Sequence, residues 1–226
     1  MHTLEFGILA YLENMSLWYL IMASFWGQFS ADGDNSDVEL AFNRDLVAWY
    51  SFMGIGFRHR IEFSFKALGE FPHGAFDAKA ADSKVLLGFV IYCYSDRRGS
   101  TLVDRWSMGV TGQALLQCAL DLKRLYTVAA EQPRKMSEDA IAEVRQLTSH
   151  LCSQWKRAGG KLRMKHHALV YHFADQCKFA GNFVFSHNYQ DETENYYTRT
   201  RASSVHMRAF SRRSLSKWLV KDFEDL

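Results

Sequence analysis

The sequence predicts a mainly helical fold: a bundle-like single domain with room for one or two short strands. Three observations point there. Only two prolines occur in 226 residues, so helix interiors have few breakers. Long segments repeat apolar residues at the spacing of an amphipathic helix. A composition that is 48% hydrophobic and 15% aromatic supplies ample core for a chain of this length.

The elements follow in chain order. MSLWYLIMASFWGQF (15–29) is an unbroken, largely apolar run. It is shorter than the roughly 20 residues that span a bilayer. Glu5 and Glu13 lie just upstream and no Lys or Arg precedes it, so neither a signal peptide nor a transmembrane segment is expected. A central core helix is the expectation, and the same apolar surface is where a homo- or hetero-oligomer would form. ADGDNSD (31–37) should end that helix, with Ser36 or Asp37 capping a second over about 37–53. DGDNSD lacks a glycine at the sixth position and the run lacks the bidentate glutamate at the twelfth of a calcium loop, so no metal is expected there. The second helix carries Leu40, Val47 and Phe52 with Trp49 and Tyr50, and breaks at Gly54 and Gly56.

FRHRIEFSFKALGEF (57–71) reads as helix and PHGAFDAKAADSK (72–84) as loop. VLLGFVIYCY (85–94) is β-branched and aromatic enough to be the best strand candidate, and a buried helix explains it about as well. From Gln113 to Ala130, the stripe of Leu115, Leu116, Ala119, Leu122, Leu125 and Tyr126 has a helical period that Pro133 stops. Ser137, followed by Glu138 and Asp139, opens a second helix running to about Arg157 with Ile141, Val144, Leu147, Leu151 and Trp155 on one stripe. Gly159 and Gly160 end it, which makes a helical hairpin.

Cys93, Cys118, Cys152 and Cys177 show no CxxC or Cys–His knuckle spacing, which excludes a zinc ribbon. Packing as small apolar side chains in a reducing, intracellular compartment is the expectation.

Charge divides the chain. From Lys156 to Lys221 there are 13 Lys or Arg against four acids, whereas residues 1–155 carry 14 against 18. The reading is an apolar helical body over 1–155 with a basic helical C-terminal part over 156–226 packed on it. Cations interleaved with Tyr, His and Phe suit phosphate neutralisation combined with base stacking. A solvated face, or a docking patch for an acidic protein, competes with that reading.

Within the basic part, KHHALVYHFADQCKF (165–179) is amphipathic, with Leu169, Val170, Phe173 and Cys177 toward the core. His167, Tyr171 and Asp175 lie four apart on another face, and His172 sits close enough to Asp175 for the carboxylate to orient its ring. SHNYQDETENYYTRTR (186–201) follows a Gly181–Asn182 turn. If helical, it aligns His187, Asp191, Glu194 and Thr198, with Glu192 and Arg199 on the neighbouring face. Such carboxylates can hold a divalent cation or pair with Arg199 and Arg201. Residues 202–221 form a basic amphipathic helix with Arg208, Arg212 and Arg213 outward.

MKHHALVYHFADQCKFAGNFVFSHNYQDETENYY resembles the closing segment of CACTA-type DDE transposases over about 60 residues. In that family a lysine- and histidine-rich stretch leads through an amphipathic helix, a glycine turn and an aromatic segment to a helix bearing the last catalytic acid. Lys165 and His167 match the histidine stretch, Gly181 the turn and Glu192 the final acid. The resemblance implies an RNase H-like core in which three carboxylates hold two divalent metals, Mg or Mn, for strand cleavage and transfer. The first two acids have no recognisable strands upstream. The chain would then be the helical insertion and last catalytic helix of a longer protein.

Two functions are therefore expected to compete. One is a nucleic-acid-binding or processing domain of nuclear setting. Glu192 and Asp191 would be its catalytic acids and Glu192 and Glu194 its metal ligands, with Lys165, His167, Arg199, Arg201, Arg208, Arg212 and Arg213 on phosphates. The other is a non-enzymatic helical binding or assembly module that docks an acidic partner through the same basic face.

Overall fold

The structure, a computed structural model, describes residues 8–56, 61–71, 73–77, 80–95 and 109–183, the side chains of 80–82 excepted. A π turn at residues 8–9 leads into α1 (Ala10–Met22). This helix has no solvent stripe, because Leu12, Met15, Leu17, Leu20 and Ile21 are all buried. Most of its apolar residues belong to the chain's own core, with Tyr11, Trp18 and Tyr19 half-buried and Met22 exposed at its end. The helix begins earlier than the apolar run, so Glu13 lies inside it and is fully buried rather than flanking it.

α1 ends with the Phe25 N–H on the Leu20 carbonyl and the Ser24 N–H on that of Ile21, at 3.0 and 2.9 Å. Ser24 takes the left-handed position of this motif, with φ 59°. The polar turn then leads into α2 (Ser36–Phe52). The expected cap was Ser36 or Asp37, but Asn35 holds the cap position and makes no side-chain cap bond. Its carboxamide instead closes the turn onto Ser30 and Gly33, while Asp34 accepts from the N–H and hydroxyl of Ser36.

The buried stripe of α2 is Val38, Phe42, Leu46, Trp49 and Tyr50. Leu40, Val47 and Phe52, expected among its apolar anchors, are 71%, 52% and 72% exposed. Apolar residues lie on both faces of this helix, so periodicity alone could not fix its phase. Phe42 stacks on Phe63 at 3.9 Å and meets Trp26 at 4.4 Å.

The helix expected over 57–71 is absent from its described part. Residues 61–64 form no regular element, and Ser64, extended, leads into a single 3-10 turn at Phe65–Ala67. Side chains of two helices satisfy this segment's backbone. Asn43 brackets Phe63, Glu39 accepts the Phe65 N–H, and Asn14 and Trp18 of α1 bind Gly69. A helix would need local partners, whereas this stretch finds distant ones.

The ambiguous 85–94 stretch resolves as helix, in α3 (Ala80–Tyr94), which also starts inside the segment expected to be loop. Apolar residues on nearly all sides erased its period. The lack of a side chain at Gly88 lets Trp49 pack there: a Cβ would lie 2.9 Å from the indole. Tyr94 donates to the buried Ser16 carbonyl at 2.9 Å, tying α3 to α1.

The helical hairpin forms as expected. α4 (Val110–Glu131) and α5 (Glu138–Arg157) make the most extensive helix–helix contact, and Ser137 caps α5 by accepting the Ala140 N–H. α6 (Met164–Tyr171) and α7 (Phe173–Ala180) fold back on α5, burying Leu169, Phe173 and Cys177. The single helix expected over 165–179 breaks at His172 (φ −121°, ψ −24°). Beyond Gly181, buried Asn182 donates to the Ala129 and Gln132 carbonyls at 2.6 and 3.0 Å, capping the end of α4 from 50 residues away.

The described residues thus contain seven α-helices. No described helix is long and apolar enough to cross a membrane. All four cysteines are buried and free.

Candidate nucleic-acid interface

The basic connection from α5 to α6 is built around Trp155. Its indole N–H donates to the Lys161 carbonyl at 3.1 Å, and its ring stacks on His166 with centroids 5.6 Å apart. The chain passes so close that a Cβ on Gly160 would fall 2.2 Å from the indole. Gly159, at φ 87°, makes the left-handed turn that allows this approach.

His166 accepts the Arg163 N–H on Nδ1 at 3.1 Å, which places its proton on Nε2. Burial, and secondarily the Arg163 cation, lower its pKa, which favours the neutral ring. The Arg163 guanidinium sits over the Tyr11 ring at 4.1 Å and donates to the Tyr11 hydroxyl and the His73 carbonyl. Arg163 is therefore an internal clamp more than a ligand contact.

With the connection pinned, Lys156, Arg157, Lys161 and Lys165 are exposed. Beside them on α6, His167 packs against Tyr171 at 4.7 Å and edge-on to His172 at 5.3 Å. All three rings are exposed. Cations next to accessible aromatic faces can neutralise phosphates and stack bases.

Lys165 and His167 are the two expected site residues that fall within the described structure, and both lie on this surface. Asp191, Glu192, Glu194, Arg199, Arg201, Arg208, Arg212 and Arg213 lie outside the described residues. The expected His172–Asp175 pairing does not form. Asp175 instead binds Arg145 of α5 at 2.8 Å, and His172 sits at the break between α6 and α7. Among the described residues, no three His, Cys, Asp or Glu converge to hold a metal.

Two arrangements escaped sequence reading. Asp121 of α4, almost wholly buried, accepts His150 Nδ1 at 2.8 Å on one oxygen and the Gln117 amide at 3.0 Å on the other. His150 turns Nε2 outward to Gln154 at 3.1 Å. An acid in the buried phase of the α4 stripe was the available signal. The second is Glu13, whose carboxyl oxygens have no partner within hydrogen-bond geometry. Burial pushes its pKa well above the usual carboxylate range, outweighing the Ser83 hydroxyl, which acts the other way.

Neither family models, curated proteins nor solved structures give a match to this chain.

Proposed function

We propose that this chain is a nucleic-acid-binding domain whose first contact surface is the α5–α6 connection. One observation carries the reading: from Gln146 to Ala174 there are five Lys or Arg and no acid. All five are exposed, Arg163 held over Tyr11 and the others beside exposed His167 and Tyr171. Phosphates would bind the cations, and unstacked bases would lie on the rings. An intracellular, nuclear setting accords with this role.

The finer reading is a transposase-like processing domain. It adds Glu192 and Asp191 as catalytic acids, and Glu192 and Glu194 as ligands for Mg or Mn. Arg199, Arg201, Arg208, Arg212 and Arg213 would extend the phosphate contacts. The resemblance of residues 160–220 supports it.

Anisotropy titrations of the full chain with single- and double-stranded oligonucleotides across salt test the binding. Lys161→Gln with Lys165→Gln should flatten the log–log salt slope by about 1.4 to 1.8. Salt-independent binding, or none at low salt, would sink the proposal. Metal-dependent nicking lost in Glu192→Gln would establish chemistry. Binding without nicking in a full-length protein would leave a non-enzymatic module. A preference for acidic polypeptide would favour the docking alternative.

A further inference from the structure

A groove on the described surface lies outside the α5–α6 connection. Ala142, Arg145, Gln146, Ser149, His150 and Ser153 line an open groove of about 610 Å³ along the outer side of α5. On the helical repeat, Lys156 and Arg157 continue the same side toward the connection. The lining contains hydroxyls, an amide, an imidazole and a guanidinium, and no acid. Asp175 occupies one nitrogen of Arg145, so the net positive charge comes from Lys156 and Arg157. From Arg145 to Arg157 the helix runs about 18 Å, or about five rises of a nucleic-acid strand.

His150 is the most constrained of these groups. Asp121 holds Nδ1 from below and is itself fixed by Gln117, while Gln154 meets Nε2. A surface imidazole ordinarily samples several rotamers. This one is pre-set with both nitrogens engaged, so it gives the groove a fixed wall and leaves the donating to the neighbouring hydroxyls.

We propose that the exposed face of α5 from Arg145 to Arg157 lies along a nucleic-acid phosphate backbone, with the Ser149 and Ser153 hydroxyls as its central donors beside His150, whose ring Asp121 and Gln154 hold in place. The proposal rests on the nucleic-acid reading above and extends it from the connection to a helix face. Hydroxyl and amide donors fit phosphate oxygens, which accept hydrogen bonds without regard to sequence. The prediction is backbone-directed, sequence-tolerant binding.

The test uses the full chain and a fluorescein-labelled oligonucleotide, with poly-glutamate as competitor. Ser149→Glu with Ser153→Glu should weaken binding at least tenfold. Ala48→Glu with Ser51→Glu, which puts the same charge on exposed positions of α2, should leave it within about twofold. Ser149→Lys with Ser153→Lys should tighten binding and steepen the salt slope by about 1.8, a gain that misfolding cannot mimic. Equal effects of the two glutamate pairs, or no gain from the lysine pair, would overturn the α5 assignment while leaving the binding reading intact. Failure of the unaltered chain to bind any oligonucleotide would overturn the binding reading itself. Stronger binding of poly-glutamate than of oligonucleotide would overturn both in favour of an acidic protein partner.

Discussion

The carboxamide of Asn43 takes both backbone groups of Phe63, accepting its N–H at 2.8 Å and donating to its carbonyl at 2.9 Å. One side chain of α2 thereby does what a neighbouring β-strand would do. Four residues before it Glu39 accepts the Phe65 N–H, and seven after it Tyr50 accepts that of Ile61. The stacking of Phe63 on Phe42 depends on this registration, because the bonded backbone sets where the ring enters the core.

Asn43→Ala is therefore expected to orphan two backbone groups beside a fully buried ring. The loss should be about 2 to 4 kcal/mol, from two unmade hydrogen bonds at the cost of desolvated amide groups. Urea unfolding checks it. A loss under 0.5 kcal/mol would mean that water replaces the carboxamide and the ladder is dispensable.

Glu13 carries a pH prediction. Its pKa is raised by burial in the folded state, so the native protein keeps the proton after the unfolded chain has lost it. The stabilisation is fully present below the ordinary carboxylate pKa of about 4.3 and falls as pH rises toward the folded value. The fall can reach about 1.4 kcal/mol per pH unit. Glu13→Gln keeps the shape without the titration, so the variant should lack that part of the slope. Urea midpoints at pH 5 and pH 8 test this; parallel slopes in the two proteins would show that Glu13 is not protonated in the fold.

The contrast between Asn43 and the α4–α5 hairpin explains what sequence could reveal. The hairpin was legible because its apolar stripes, its Ser137 cap and its Gly159–Gly160 stop are all local. The segment 61–71 was not, since its conformation is set by Glu39, Asn43, Asn14 and Trp18, all distant in the chain. α3 was half legible: its apolar surround hid the period, and no local signal could choose helix over strand. Of the candidate site, Lys165 and His167 were readable from charge and composition. The His150–Asp121 pair needed the packing of α4 on α5 to bring residues 29 apart into contact.

That pair gives a third prediction. His150→Ala leaves the buried Asp121 carboxylate with Gln117 as its remaining bonded partner among those described. A lost hydrogen bond to a charged group should cost about 1.5 to 3 kcal/mol. Asp121→Asn in the same background should recover part of that loss, because the uncompensated charge is gone. A double-mutant cycle by thermal unfolding measures the coupling. Strict additivity would show that the two side chains do not interact in solution.

Three helix ends share one capping geometry with different residues at its strained position. After α2 and α5 the left-handed residue is Gly54 (φ 66°) and Gly159 (φ 87°), whereas after α1 it is Ser24 (φ 59°). In each case the following N–H reaches five residues back, to Tyr50, Trp155 and Leu20 respectively. A serine there places its Cβ against the carbonyl, a strain of about 1 to 2 kcal/mol that glycine lacks. Ser24 is exposed, so replacing it removes no buried contact. Ser24→Gly should stabilise the protein by about 0.5 to 1.5 kcal/mol, the strain relief less the added entropy of the unfolded glycine. Gly54→Ala, where a Cβ would meet no neighbour, should destabilise by a similar amount through backbone strain alone. Opposite signs in paired thermal melts would confirm that the left-handed cap sets both. A destabilising Ser24→Gly would show that the serine hydroxyl contributes more than the strain removes.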